Sequence, residues 1–261
     1  MDRLAPALRP AGAPVGTQKW RSLLFLHWQV PVDALRARVP RRLELDLYEE
    51  RAYVGLVAFE MHDIRPSRWL PPIPTASRFD EVNVRTYVHA GGRDPGVWFL
   101  SLDASSALAV LGARALYHLP YFWARIHTER PADAKAGVRV SYRSERRWES
   151  DARAALDVRY ELGQDIGPAT PGTFEHFLAE RYYLYAVTAG DQLLRGQVHH
   201  TPYPLRRARV VEMKEESLVA AAGIDRPEER ASTLWSPGVD VSIHGLEPVR
   251  EESRQGAGDA R

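Results

Sequence analysis

The chain has 261 residues, a formal net charge of +1, and 44% hydrophobic and 26% charged residues, which is the composition of an ordinary globular protein. It contains no cysteine, so disulfides, thiolate nucleophiles, cysteine-bound zinc and iron–sulfur clusters are excluded. The two signs of charge are interspersed, which gives no electrostatic footprint for nucleic acid, and no apolar run approaches the roughly 18 residues of a membrane-spanning helix.

The length fits one large β-rich domain or two small ones. Residues 1–16 are rich in Ala and Pro and lack the apolar core of a signal peptide. We therefore expect a flexible leader over 1–16, a single domain over 17–250, and a disordered polar tail over 251–261. A cytoplasmic location is the default expectation.

Alternating apolar and polar residues, separated by turn residues, predict strands along most of the chain. These strands cover 19–30, 43–47, 52–63, 79–88, 97–103, 121–128, 138–143, 155–162, 182–188, 193–199, 210–215 and 239–244. Short helices are predicted at 32–39, 107–119, 174–181 and 217–222. The helix at 107–119 is apolar almost all round, which predicts that it is buried. The pattern indicates a β-dominated α+β domain, built as a curved antiparallel sheet or β-barrel.

The strand at 79–88 carries the most polar face in the chain. Alternation places Glu81, Asn83, Arg85 and Tyr87 on one side. The opposite side carries Val82, Val84, Thr86 and Val88. Alternation alone leaves two interpretations open, because this polar row could face water or line a pocket.

A second candidate element is the joint between the helix at 107–119 and the strand at 121–128. His118 stands at the helix end, Pro120 stops the helix, and Tyr121 begins a strand with polar alternate positions. This joint and the polar row are the two features of the sequence that we single out as candidate functional elements.

Several common catalytic signatures are absent from the sequence. There is no Gly-x-Ser-x-Gly elbow, no phosphate-cradling glycine loop and no His-Glu-x-x-His helix. His199 and His200 are neighbours on a predicted strand and would point to opposite faces, so they do not form a good metal site. We expect no metal and no cofactor.

The order of several sequence blocks resembles the uncharacterised YqjF-like family, and the resemblance runs from about residue 20 to residue 244. The blocks are Trp20-Arg21, Val39-Pro40, 79–88, 99–104, Leu119-Pro120-Tyr121, 177–182, 200–205 and 236–241. The family is in turn remotely similar to the acetoacetate decarboxylase-like superfamily, which implies a decarboxylase-like β-barrel with a polar cavity in one closed domain.

The resemblance implies positions for three functional residues of those decarboxylases. Their strand glutamate is matched by Glu81, and an arginine near the first strand is matched by Arg21. The Schiff-base lysine, however, is matched by Tyr121. A Schiff base needs a primary amine, and the chain's lysines are Lys19, Lys135 and Lys214, none of which stands in that sequence context. Decarboxylation through an imine is therefore not expected.

Three functions remain open from the sequence. The first is a barrel that binds a small polar or aromatic organic molecule, either as a plain binder or as a lysine-independent enzyme of the lyase or isomerase type. Glu81 and Tyr121 are the candidate proton-transfer groups of such an enzyme. The candidate ligand contacts are Arg21, Glu81, Asn83, Arg85, His118 and Tyr121.

The second is a non-catalytic protein in which Glu81 and Arg85 form a structural ion pair. The third is an interaction protein that uses the apolar loop at 69–73 as its surface. A small molecule is the expected partner; nucleic acid and membrane are not, and a homo-oligomer is left open.

Overall fold

Strands dominate the computed structural model, which describes residues 1–67, 77–129, 134–148, 153–226 and 231–249. The strands are β1 (Gly16–Val30), β2 (Glu44–Leu45), β3 (Ala52–Arg65), β4 (Phe79–Ala90), β5 (Arg93–Ala104), β6 (Tyr121–Glu129), β7 (Arg139–Arg146), β8 (Ala155–Gly167), β9 (Tyr183–Val187), β10 (Leu193–His199), β11 (Leu205–Glu216) and β12 (Ser232–Pro248). The helices are α1 (Val32–Arg36), α2 (Ala107–Tyr117), α3 (Phe174–Ala179) and α4 (Leu218–Ala221). The predicted β-dominated α+β class is confirmed.

All the strands belong to one 12-stranded sheet, ordered β10-β9-β5-β6-β7-β8-β11-β12-β1-β3-β4-β2. Most pairs are antiparallel, whereas β5 runs parallel to both β6 and β9. Two further pairings, β4 with β5 and β10 with β12, close the sheet on itself. The result is two closed circuits of strands that share β1, β3, β4, β5 and β12.

The shared strands have a hydrophobic core on each face. On one face, Leu24 and Leu26 of β1 pack with Val84 of β4 in the first core. On the other face, Phe25 of β1 and Val57 of β3 belong to the second core. Both faces of β4 are therefore buried, and its polar row lies on the side of the second core.

A bulge in β1 decides which of its side chains face that second core. The register against β3 shifts between Arg21 and Leu24, and Ser22 has a φ of 53°. Strict alternation predicts Trp20 on the face of Leu24. Instead, Trp20 packs against the second core, with its ring centroid 5.7 Å from that of Phe59.

Helix α2 is less buried than its composition predicts. Its residues Leu108, Leu111 and Leu116 are 54%, 55% and 68% exposed, and Val110 is the one buried side chain of the helix. An apolar pattern leads to burial only where another element covers it, and in the described part of the chain the outer face of α2 has no such cover. The helix ends at His118, which has a left-handed φ of 53°.

The leader at residues 1–16 makes contacts with the domain. Arg3 pairs with the buried carboxylate of Asp46, and Pro6 is buried while its carbonyl accepts a hydrogen bond from Gln197. The tail at 251–261 and the apolar loop at 69–73 lie outside the described residues. Across the ranges that are described, no helix combines the length and apolarity needed to cross a membrane.

Candidate functional site

The centre of the candidate site is a hydrogen bond between Tyr121 and Glu81. The end of α2 leads directly into β6, which runs parallel to β5 with Tyr121 beside Leu102. The antiparallel pairing of β5 with β4 places Glu81 opposite Ala104. Tyr121 thereby reaches Glu81 and donates its hydroxyl hydrogen to Glu81 Oε2 at 2.7 Å.

Glu81 is only 1% exposed, and burial raises its pKa to about 7. The hydrogen bonds from Tyr121 and from Asn83 Nδ2, the latter at 3.4 Å, oppose this rise in pKa, while the charge of Asp103 adds to it. Burial and the adjacent Glu81 raise the pKa of Tyr121 well above its usual value. At neutral pH Tyr121 keeps its proton and Glu81 is close to half protonated, so Glu81 can both take up and release a proton.

A buried ion pair lies on the other side of β5 from Glu81. Arg146 Nε donates to Asp103 Oδ1 at 2.8 Å, and the side chains of Arg146 and Asp103 are 5% and 1% exposed. The guanidinium also stacks over the Phe122 ring at 3.9 Å. Burial raises the pKa of Asp103 to about 6, against the effect of Arg146. The sequence analysis did not identify this pair, because its members lie 43 residues apart without a local pattern.

Arg85 extends the polar row away from Glu81. Its NH2 group donates to the carbonyl of Leu178 at 3.3 Å, and its guanidinium carbon lies 5.8 Å from the ring centroids of Phe25 and Tyr87. Among the described residues no carboxylate forms an ion pair with Arg85. The ion pair between Glu81 and Arg85, which was the structural alternative to a ligand site, is therefore not formed, because residues four apart on a strand are separated by about 13 Å along the backbone.

Tyr87, the last residue of the polar row, is the middle member of a short chain of hydrogen bonds. Its hydroxyl donates to Leu178 O at 2.7 Å and lies 2.5 Å from His27 Nε2. Because the Tyr87 hydrogen goes to the carbonyl, His27 must donate to the Tyr87 oxygen. Burial lowers the pKa of His27 well below its usual value, which keeps the ring neutral.

A second buried polar cluster lies in the same core. Glu180 accepts hydrogen bonds from the Tyr182 hydroxyl at 2.6 Å and from the Tyr203 backbone N–H at 2.9 Å. His200 packs between these two tyrosine rings, at 4.6 Å from each ring centroid. Tyrosine-rich strands are usually core packing, so only the spatial arrangement shows this cluster.

Two of the candidate ligand contacts are not brought to Glu81. Arg21 donates to the carbonyl of Val239 and to the exposed carboxylate of Asp240, because the bulge at Ser22 turns it away from the second core. His118 is exposed at the end of α2. It lines a pocket of about 440 Å³ with Trp98, Arg114, Leu119, Pro120, Phe122 and Val187, which Glu81 and Tyr121 do not line.

The lysines lie on the surface rather than in either core. Lys19 pairs with Asp63 at 2.6 Å and Lys214 lies 3.8 Å from Glu212, with lysine side chains 42% and 49% exposed. Lys135 is exposed as well. Within the described ranges, no three potential ligands among His, Asp and Glu converge on a metal position.

The fold is that of the acetoacetate decarboxylase-like proteins. The enzyme MppR of enduracididine biosynthesis, solved with pyruvate, is 13% identical, with 91% of each chain covered and a TM-score of 0.62. The acetoacetate decarboxylase of Legionella pneumophila subsp. pneumophila str. Philadelphia 1 is 14% identical, with 94% of this chain and 92% of that chain covered and a TM-score of 0.59.

Sequence comparison gives the family itself. Residues 17–240 match the DUF2071 family, described as an uncharacterized conserved protein, and the chain belongs to it. The uncharacterized protein YqjF of Bacillus subtilis (strain 168) is 40% identical over 232 residues, which is 89% of this chain and 91% of that protein. The predicted resemblance to the YqjF-like family and to the decarboxylase-like fold is confirmed.

Proposed function

We propose that this protein binds a small organic acid inside the second core and transfers a proton on it, as a lyase or isomerase that forms no Schiff base. The observation that carries the proposal is the buried Glu81, hydrogen-bonded to Tyr121 at 2.7 Å and with a pKa near 7. A general acid or base works best when its pKa lies near the operating pH. Burial creates that condition here.

Unpartnered polar atoms along β4 support a polar ligand. Asn83 Oδ1 and Arg85 Nε are buried, and neither has a hydrogen-bond partner among the described residues. Buried polar atoms in folded proteins almost always have a partner. A carboxylate ligand beside Asn83 would accept from Arg85 Nε, since Asn83 lies between Glu81 and Arg85 on the same face, and a hydroxyl or N–H group on that ligand would donate to Asn83 Oδ1.

The charge of Arg85 indicates the class of ligand. Arg85 is partly buried and hydrogen-bonds to a carbonyl, without a carboxylate partner in the described part of the chain. A guanidinium in that setting favours a carboxylate ligand, which it can bind through two parallel hydrogen bonds. With its carboxylate at Arg85, a small acid would place its other carbon atoms beside Asn83 and Glu81.

The chemistry follows from the two protonation states of Glu81. As a carboxylate, Glu81 takes a proton from the carbon next to a carbonyl group, and the electron pair of the broken C–H bond moves onto the carbonyl oxygen. The resulting acid returns the proton to the same or a neighbouring carbon. Tyr121 stays protonated, and its O–H stabilises the negative charge of the Glu81 carboxylate.

Pyruvate is a suitable first probe, because it carries both a carboxylate and a carbonyl and because MppR was solved with it. In D₂O, proton transfer would exchange the pyruvate methyl hydrogens for deuterium, which NMR detects directly. Wild type should accelerate this exchange, and Glu81→Gln should remove at least about 100-fold of the acceleration. Glu212→Gln, at an exposed glutamate, is the matched control and should keep it.

Thermal-shift titration of the same variants measures binding separately. Pyruvate should raise the melting temperature of wild type and of Glu81→Gln. Binding without exchange would reduce the proposal to a binding protein. An absence of any ligand-dependent shift across pyruvate and a panel of small carboxylic acids would contradict it altogether.

A further inference from the structure

His200 has one ring nitrogen whose hydrogen-bonding state is fully determined. The residue is 3% exposed, and its Nδ1 lies 2.8 Å from the carbonyl oxygen of Thr201. A carbonyl oxygen only accepts, so Nδ1 carries the hydrogen. Burial lowers the pKa of His200 to about 4, so the ring is neutral at pH 7 and Nε2 presents a bare lone pair.

That lone pair has no donor within the described residues. Nε2 of His200 is buried without a hydrogen-bond partner. The tyrosine hydroxyl of its stacking neighbour Tyr182 cannot supply one, because it donates to Glu180 at 2.6 Å. An unsatisfied buried acceptor is destabilising, so its presence calls for a donor that the described residues do not supply.

The surroundings of His200 are flat and aromatic. The Tyr182 ring stacks on it at 4.6 Å with an interplanar angle of 24°, Tyr203 lies at 4.6 Å, and Trp20 lies at 5.7 Å. Glu180 fixes the two tyrosines by accepting from the Tyr182 hydroxyl and the Tyr203 backbone. His200 is therefore held in one orientation by aromatic walls.

Arg85 is connected to the same aromatic cluster. Its positive charge contributes to the lowered pKa of His200, and its guanidinium carbon lies 5.8 Å from the Phe25 ring. Phe25 in turn lies 5.4 Å from Tyr203, the ring that packs on His200. An anion-binding group and a neutral hydrogen-bond acceptor are thus linked through one series of aromatic contacts.

We propose that His200 determines ligand specificity: its Nε2 accepts a hydrogen bond from the ring N–H of a heteroaromatic carboxylic acid whose carboxylate lies at Arg85. This inference rests on the proposed function, and it names the ligand class of that site. The aromatic rings around His200 favour a planar ligand ring, Arg85 favours a carboxylate, and the bare Nε2 favours a donor over an acceptor.

The test compares pyrrole-3-carboxylate with furan-3-carboxylate, which has the same shape but an oxygen in place of the N–H. Isothermal titration of the full chain should show that wild type binds the pyrrole at least about tenfold more tightly, since a buried acceptor rejects a ligand without the donor. His200→Phe should bind both acids with equal affinity. His199→Phe, at the adjacent histidine, should keep the preference.

Equal binding of the two acids by wild type would overturn the inference, as would a preference that persists in His200→Phe. Thermal unfolding verifies that His200→Phe folds. If it does not, His200→Leu, which also removes the acceptor, replaces it and should likewise bind both acids with equal affinity. Pyruvate, titrated into the same samples, separates this inference from the proposed function. If pyruvate binds and neither heteroaromatic acid does, the ligand class alone is overturned. If no acid binds, both the ligand class and the proposed function are overturned.

Discussion

Tyr121 donates a hydrogen bond to Glu81 at the position where the decarboxylase resemblance places an amine. The difference between the two groups sets the chemistry of the site. A lysine ammonium beside Glu81 would stabilise the carboxylate by its full charge, whereas a neutral hydroxyl stabilises it only by a hydrogen bond. Burial therefore dominates, and the pKa of Glu81 stays near 7.

The raised pKa of Glu81 predicts a specific dependence of stability on pH. Its pKa is 4.5 when unfolded and about 7 when folded, so between these values the folded state holds the proton and the unfolded state does not. Stability is therefore lost as pH rises from 4.5 towards 7 and is constant above that. The free energy of unfolding of wild type, relative to Glu81→Gln, should fall by on the order of 3 kcal/mol over this window.

Urea unfolding at a series of pH values measures this difference. Glu212→Gln, which changes an exposed carboxylate, should give a difference from wild type that varies little over the same range. A constant difference between wild type and Glu81→Gln from pH 4.5 to 8 would show that Glu81 has an ordinary pKa.

The surface positions of the lysines predict that no imine forms. Incubation of wild type with pyruvate and borohydride should leave the intact mass unchanged, because Lys19 and Lys214 lie on the surface and Tyr121 has no amine. Mass spectrometry of a Tyr121→Lys variant, which places an amine beside Glu81, provides the comparison. A stable adduct on wild type would show that a lysine takes part after all.

The two candidate arginines should behave differently in ligand binding. Arg85 faces the second core and Arg21 faces Asp240 at the surface. Arg85→Gln should weaken carboxylic acid binding by at least about tenfold, because a hydrogen-bonded charge contributes about 1.5–3 kcal/mol. Arg21→Gln should leave the dissociation constant within about twofold. Thermal-shift titrations of both variants decide this, and the reverse order of effects would place the ligand at Arg21.

The sequence predicted which residues form the polar row, but not how the strand that carries them is buried. Alternation along β4 grouped Glu81, Asn83 and Arg85 on one face, and the ordered motifs placed Tyr121 near Glu81. Alternation could not show that both faces of β4 are buried, since that depends on two circuits of strands sharing it.

The predictions for Arg21 and for α2 were wrong for identifiable structural reasons. The position of Arg21 depended on one residue, Ser22, whose positive φ breaks the period of two. Helix α2 is exposed because no described element covers its outer face. The sequence of the helix itself does not encode whether another element will cover it. Asp103 and Arg146 meet only through the pairing of β5, β6 and β7.

The buried pair of Asp103 and Arg146 should matter more for stability than any exposed pair. Asp103→Asn leaves the Arg146 charge buried without its partner, which costs about 3–5 kcal/mol. Arg159→Gln, which breaks an exposed pair with Glu212, should cost no more than about 1 kcal/mol. Urea midpoints measure both changes, and equal effects would mean that Asp103 and Arg146 are solvated in solution.

The close approach of β3 to β1 at Gly55 gives a further test of the interior geometry. A Cβ at Gly55 would lie 2.8 Å from the His27 ring and 3.4 Å from the Tyr87 hydroxyl. His27 cannot move away without breaking its 2.5 Å contact with Tyr87, whose hydroxyl is in turn held by Leu178 O. Gly55→Ala should therefore destabilise the protein by about 1–3 kcal/mol.

Gly112 is the matched control for that substitution. It lies inside α2, and an added Cβ would meet nothing within 4 Å. Gly112→Ala should stabilise the protein by up to about 1 kcal/mol, because alanine loses less backbone freedom in a helix than glycine does. The two variants add the same methyl group, so opposite shifts of the melting temperature isolate the contact with His27. If Gly55→Ala proves as stable as Gly112→Ala, the ring of His27 does not lie over β3, and the hydrogen-bond chain through Tyr87 to Leu178 is not formed as described.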